Sequence, residues 1–351
     1  MRYKRSVLFL ATVMVLFVAV NFAIWKIWTE DLLTDVHFQG GDLSRMGYIS
    51  GSKDYRKTSV DLPRRHIEMK DYTGQRIDLV TIGDSFSNGG GGGRNPFYQD
   101  YLASISDCTV LNLAHYHGID NITVLSMLVN NGYLERVRPK YVLLEATEKF
   151  CIGDLAHAIK FNATMSPAEM AGLKRIEYGK KLPAVGFINE GNFKFLLYSL
   201  LYNFSDHAFM GKVYVKDLRI PFFSVKDARK LTFLRVDFKN IPLATAESVG
   251  LVNDNLNLLA DKLSQMGIKL YFMPCVDKYD LYREYLVNNR YPASTLFELL
   301  RKLPKRYEFI DTKTILAEEL KKGEKDVYYA DDTHWSWKAS KVIFEKTRFD
   351  R

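Results

Sequence analysis

Two hydrophobic patterns divide the chain. In the first, Arg2, Lys4 and Arg5 precede an apolar run from Val7 to Val20 that is broken only by Thr12. Asn21 interrupts the run, and Phe22 to Ile24 with Trp25 and Trp28 carry it further. The length approaches the roughly 20 residues that a helix needs to cross a bilayer. Basic residues ahead of such a run hold the N-terminus in the cytoplasm and send the remainder outward. The two tryptophans suit the far interface. No small-x-small cleavage site closes the run, which favours an uncleaved signal anchor over a cleaved signal peptide. The reading is a single-pass protein of the inner (cytoplasmic) membrane, residues 1–30, with its main domain extracytoplasmic.

Residues 31–75 are polar and turn-rich, with Gly40-Gly41, Gly47, Gly51 and the basic pair Arg64-Arg65, and read as a juxtamembrane linker. The second pattern, an α/β rhythm over 76–351, then begins. Short apolar runs at Ile77–Ile82, Val110–Ala114, Tyr141–Glu145, Lys269–Met273 and Phe309-Ile310 predict strands, continuous in hydrophobicity as central parallel strands are. Helical spacing predicts helices over 96–105, 121–134, 246–266 and 291–303, with a closing helix after Ser336. Gly267 is a natural helix stop. Between about 150 and 245 the rhythm breaks into aromatic-rich pieces such as Phe193–Phe204, which read as an insertion or cap. Alternating strands and helices imply a mostly parallel sheet covered on both faces.

Composition adds limits. The formal charge of +8 is spread along the chain, without the basic stripe or fold that nucleic-acid binding requires. It is compatible with anionic polysaccharide or phospholipid, and equally with simple solubility. Cys108, Cys151 and Cys275 cannot all pair within one chain, and their spacing suggests neither a disulfide framework nor a zinc site.

Two segments carry candidate chemistry. Gly83-Asp84-Ser85-Phe86 lies where the first predicted strand ends, and ligands in such folds bind beyond the carboxyl ends of strands. Ser87, Asn88 and the glycines after them are expected to start a helix facing the site. Asp331-Asp332-Thr333-His334 follows the last strand. A parallel sheet brings both segments to one edge, where His334 can act as base for Ser85 and a carboxylate can hold the imidazole. Asp332, two residues before His334, is the preferred partner, with Asp331 as the alternative. His115, His117 and His157 lack the companions that a zinc set needs. Gly89–Gly93 matches neither a Walker loop nor a dinucleotide turn, and reads as a flexible flap beside Ser85. No cofactor or metal is called for.

GDSF after the first strand with DTHW near the C-terminus resembles the SGNH hydrolase and acyltransferase superfamily, and within it the alginate O-acetyltransferase-like branch. Asn112–Gly118, Glu145-Ala146-Thr147-Glu148-Lys149 and Met273–Tyr279 resemble further motifs of that branch. The likeness covers about 77–150 and 250–345. It implies a flavodoxin-like three-layer domain with a Ser85–His334–Asp332 triad. The backbone N–H groups of Ser85 and Gly118 would form the oxyanion hole, with Asn121 as a further donor. Two departures stand out. The block that usually supplies an oxyanion-hole asparagine is replaced by the Glu145/Glu148 segment, and the alginate proteins place their Asp-x-His before the serine rather than after it.

The implied activity is two-step O-acetyl transfer through Ser85 to hydroxyls of a cell-surface or exported polysaccharide, with an integral membrane acyltransferase as partner and acetyl source. Trp335, Tyr116 and Tyr279 are candidates for stacking on sugar rings. Two alternatives remain at this point: an esterase or lipase of the same fold, and a non-catalytic carbohydrate-binding component of an export assembly.

Overall fold

The computed structural model describes residues 2–34, 41–54, 56, 60–113, 115–166, 169, 182–209 and 211–349. Gly40, Ala114 and residues 170–181 of the expected insertion lie outside these. Eight strands are found among the described residues. They are β1 (Ile67–Glu68), β2 (Leu79–Ile82), β3 (Val110–Asn112), β4 (Tyr141–Thr147), β5 (Val213–Asp217), β6 (Lys230–Leu234), β7 (Lys269–Cys275) and β8 (Glu308–Phe309). Six of them form one sheet in the order β1-β3-β2-β4-β7-β8, and every pairing in it is parallel. The chain runs outward from β2 through β3 on one side and through β4, β7 and β8 on the other. The strand order therefore reverses at β2/β4, the place where open α/β sheets leave a crevice at their carboxyl edge.

Side chains alternate along each strand, and this sheet buries both sets. Leu79, Leu143, Tyr271 and Met273 pack with the helices Tyr98–Ser106 and Trp337–Lys346. Val80, Ile82, Val142, Leu144 and Phe272 pack with Asn121–Asn130 and Ala246–Ser264. Burial on both faces is the reason these strands read as unbroken apolar runs.

The structure departs from expectation in several places. The helix expected over 121–134 is two helices, Asn121–Asn130 and Tyr133–Val137, separated at Gly132, whose φ of +65° no regular helix accepts. The expected insertion contains a helix, Glu190–Leu201, and the antiparallel hairpin β5–β6. Helix Thr312–Lys321 was not anticipated. The expected linker belongs to the domain: β1 pairs with β3, and His66 N–H donates to buried Asp100 (2.9 Å). All three cysteines are free.

The N-terminal segment is helical from Arg2 to Ile24 and continues through a π-helical turn, Trp25–Thr29, to Leu33. Tyr3–Leu33 is long and apolar enough to cross a membrane, and almost none of it is covered by the rest of the chain. Its tryptophans dock on the protein rather than facing outward as expected. Trp28 stacks on Phe195 with centroids 5.2 Å apart, and Trp25 Nε1 donates to the Val185 carbonyl (3.1 Å).

Candidate active site

β2 ends at Ile82, and the chain turns through Gly83-Asp84-Ser85 under the control of β4. Glu145, fully buried in β4, accepts from Asp84 N–H (3.0 Å), Ser87 N–H (3.2 Å) and Ser87 Oγ (2.8 Å). A Cβ at position 83 would lie 2.2 Å from both Glu145 Oε2 and Ser87 Oγ, so glycine alone allows the approach. Burial and the neighbouring Asp84 hold the Glu145 carboxyl well above the usual range. Asp84 in turn accepts from Thr147 N–H (2.9 Å) and Oγ1 (2.8 Å), tying the turn to the end of β4. Residues 85–91 form consecutive turns rather than the expected helix, and Ser85 is fixed by its neighbours and not by a helix terminus.

His334 meets this turn from the other end of the chain. Its Nε2 lies 2.7 Å from Ser85 Oγ and its Nδ1 lies 2.6 Å from Asp332 Oδ1. Asp332 is itself held from three sides. Its Oδ1 also accepts from His334 N–H (3.0 Å), and its Oδ2 accepts from Gly41 N–H (2.7 Å) and an Arg56 guanidinium nitrogen (3.1 Å). Asp331 faces elsewhere. It accepts from Asp54 N–H (2.9 Å) and pairs with Arg56 (2.7 Å), so the alternative partner for His334 is excluded by direction. Asp42 accepts from Thr333 N–H (2.8 Å) and Oγ1 (2.6 Å).

Burial alone disfavours an imidazolium at His334, but Asp332 and Asp42 outweigh it and raise the pKa above the ordinary 6.5. Asp332 is driven low: burial opposes this, and His334 and Arg56 overcome it. Asp331 is pushed up to about 6 by burial, against the pull of Arg56. The loop bearing these residues rests on Lys278, which is 1 % exposed. Its Nζ donates to the carbonyls of Tyr329 (2.8 Å), Ala330 (2.8 Å) and Asp332 (3.2 Å) and to Thr232 Oγ1 of β6 (3.3 Å). Burial lowers Lys278 to about 8, although the aspartates oppose it.

The glycine segment expected to be a flexible flap is packed against the histidine. A Cβ on Gly90 would lie 2.3 Å from His334 Nε2, and one on Gly91 would lie 3.2 Å from His334 Cβ. Arg56 Nε donates to the Gly91 carbonyl (3.0 Å), closing the ring of contacts.

The remaining expected site residues divide. Gly118, Asn121 and Tyr116 line a cavity of about 270 Å³ together with Asp84, the neighbour of Ser85. Asn121 Oδ1 is buried there without a partner. Tyr279 and Trp335 are not available for stacking on a ligand. Tyr279 is 0 % exposed among Phe233, Phe238 and Tyr291, with its hydroxyl on the Pro292 carbonyl (2.8 Å). Trp335 is 6 % exposed and packs edge-on against Phe86, which also contacts the His334 ring. Glu148, in the block resembling the family's asparagine position, is buried and accepts from Asp277 N–H (2.8 Å).

Asp42, Asp332 and His334 offer ligand atoms within 4.8 Å of one another, the one such group of three among the described residues. In the arrangement seen, His334 Nδ1 is taken by Asp332 and Nε2 points at Ser85, which is the geometry of a base beside a hydroxyl. Gly41, Asp42, Arg56 and Gly90 were missed by sequence reasoning because they act through backbone or buried pairing and carry no motif. Lys278 lies within a segment that was noticed, but its role was not read. No family model matches the chain, and no curated protein is detectably similar to it.

Proposed function

We propose that this chain is a membrane-anchored, extracytoplasmic O-acyltransferase of the SGNH type that carries an acetyl group on Ser85. The observation that supports it is the continuous line Ser85 Oγ–His334 Nε2 (2.7 Å) and His334 Nδ1–Asp332 (2.6 Å) at the carboxyl edge of a parallel sheet. The strand order agrees with a flavodoxin-like domain, whose switch point lies between β2 and β4, where Ser85 sits.

In this reading His334 takes the Ser85 proton as Oγ attacks the acetyl carbonyl. The tetrahedral oxyanion is held by backbone N–H groups of Ser85 and Gly118, with Asn121 beside them. Collapse expels the donor's leaving group, which receives the proton from His334, and leaves acetyl-Ser85. A sugar hydroxyl, deprotonated by His334, then attacks the ester and restores Ser85. Each oxyanion donor is worth about 10²–10³ in rate, so the cavity bearing Gly118 and Asn121 matters as much as the triad. The acceptor is an exported or cell-surface polysaccharide, and the acetyl group comes from an integral membrane acyltransferase.

The test uses the full chain in detergent with p-nitrophenyl acetate as donor and a panel of polysaccharides as acceptors. Acetylated glycan that disappears in Ser85→Ala supports the proposal. Ser85-dependent acetate release with every acceptor would instead make the protein an esterase. Turnover equal in wild type and Ser85→Ala would leave a non-catalytic role.

A further inference from the structure

The expected insertion carries an apolar surface that the candidate site does not use. On and around the helix Glu190–Leu201, Phe193 and Phe204 are 69 % and 82 % exposed, and Leu196, Leu200 and Ile188 are each about half exposed. Phe193, Leu196 and Leu200 recur at intervals of three and four, which places them along one helical face, with Phe204 continuing the line. Phe195, on another face, is buried against Trp28. The amphipathic helix is therefore seated on the protein by one side and leaves a contiguous apolar stripe on the other. Soluble surfaces rarely carry such a stripe unless something covers it.

The position of the stripe relative to the N-terminal helix indicates what covers it. A span of roughly 20 residues beginning at Val7 reaches Lys26, the first charged residue beyond the run. At 1.5 Å per residue, Phe22 lies about 6 Å inside that boundary. The Phe187 ring meets the Phe22 ring there, with centroids 6.1 Å apart. Asn192, next to Phe193, donates through Nδ2 to Asn21 Oδ1 (3.0 Å) and to the Asn21 carbonyl (3.3 Å). Asn21, the residue that interrupts the apolar run, is thus satisfied by the insertion at the depth of the bilayer boundary. The helix bearing the stripe begins at the level where the membrane ends.

We infer that the helix Glu190–Leu201 and its flanks lie in the plane of the outer bilayer interface, with Phe193, Leu196, Leu200 and Phe204 set among lipid. Helices with a charged face and an aromatic and aliphatic face bind membrane surfaces in this way. The inference rests on the reading of Tyr3–Leu33 as a membrane span. The domain would then have two attachments, and its orientation over the bilayer would be fixed rather than free on a tether.

The test reconstitutes the full chain into vesicles of phosphatidylethanolamine and phosphatidylglycerol. An environment-sensitive fluorophore is placed at Phe193→Cys, Leu200→Cys, Phe17→Cys in the span and Leu258→Cys on an exposed helix of the α/β domain. Labelling of the wild-type chain measures the contribution of its own cysteines. Blue-shifted emission at 193 and 200, with most of the signal lost to nitroxide-labelled lipid as at 17 and little lost at 258, is the expected result. Quenching at 17 with 193 and 200 behaving like 258 would overturn the inference and leave the anchor intact. Blue-shifted probes at 193 and 200 that lipid does not quench would point to a protein neighbour and also overturn it. Absence of quenching at 17 would remove the anchor reading, and the inference with it.

Discussion

Two adjacent aspartates precede the candidate base, and only one of them touches it. Asp332 accepts from His334 Nδ1, whereas Asp331 is committed to Arg56 and Asp54 N–H. Ser85→Ala and His334→Ala are therefore expected to remove acetyl transfer to background. Asp332→Asn leaves the imidazole without its anionic partner and is expected to lower the rate by about 10⁴-fold. Asp331→Asn is expected to stay within roughly tenfold of wild type. Steady-state rates of the four variants check the order, and equal losses at 331 and 332 would contradict it. The pH profile gives a second handle. His334 works as a base only when neutral, and its pKa is raised by Asp332 and Asp42. The rate should climb with pH through a limb that lies above the ordinary histidine value. Asp42→Asn removes one anion that favours the imidazolium, so the limb should move to lower pH. A limb that stays in place would show that Asp42 does not act on His334.

The strands that position Ser85 were plain in the sequence because β2, β4 and β7 are buried on both faces, which leaves apolar runs that no polar residue interrupts until the sheet edge. Helix Ala246–Ser264 was equally plain, with Leu256, Leu259 and Leu263 buried along one face. β1 was not, since two residues carry no period. The glycine segment was misread for a physical reason. Five consecutive glycines suggest freedom, but Gly90 and Gly91 are needed because His334 occupies the space where a side chain would go. Gly90 does not have a positive φ, so alanine is allowed by its backbone and the conflict is with the imidazole alone. Gly90→Ala is expected to cost about 10²-fold in rate, the typical effect of an ångström-scale misplacement. Thermal stability should change little. A variant with normal turnover would mean that the histidine tolerates displacement.

At the scale of the molecule, residues 41–56 turn out to complete the site from outside the sheet. They read as linker because their backbone groups bond to the Asp331–His334 loop and not to one another, so they show no helix or strand period. Leu43 and Ser44 N–H both donate to the Asp331 carbonyl, and Arg56 spans Asp331, Asp332 and Gly91. Arg56→Met would leave two buried carboxylates uncompensated, at a cost of about 3–5 kcal/mol. A fall in melting temperature with loss of activity is expected, and Arg56→Lys should recover only part of either, because an ammonium cannot reproduce the forked contacts. Full activity in Arg56→Met would show that the site is complete without this segment. The segment also links the N-terminal helix to the candidate triad, so anchor and chemistry share one short stretch of chain.

The central claim is that Ser85 is a nucleophile activated by His334, and it can be tested without knowing the substrate. The full chain is treated with a fluorophosphonate, which phosphorylates activated serines, and the labelled peptide is identified by mass spectrometry. A single adduct on Ser85, absent in Ser85→Ala and lost in His334→Ala, is the predicted result. No adduct on Ser85, or one formed equally well in His334→Ala, would contradict the account.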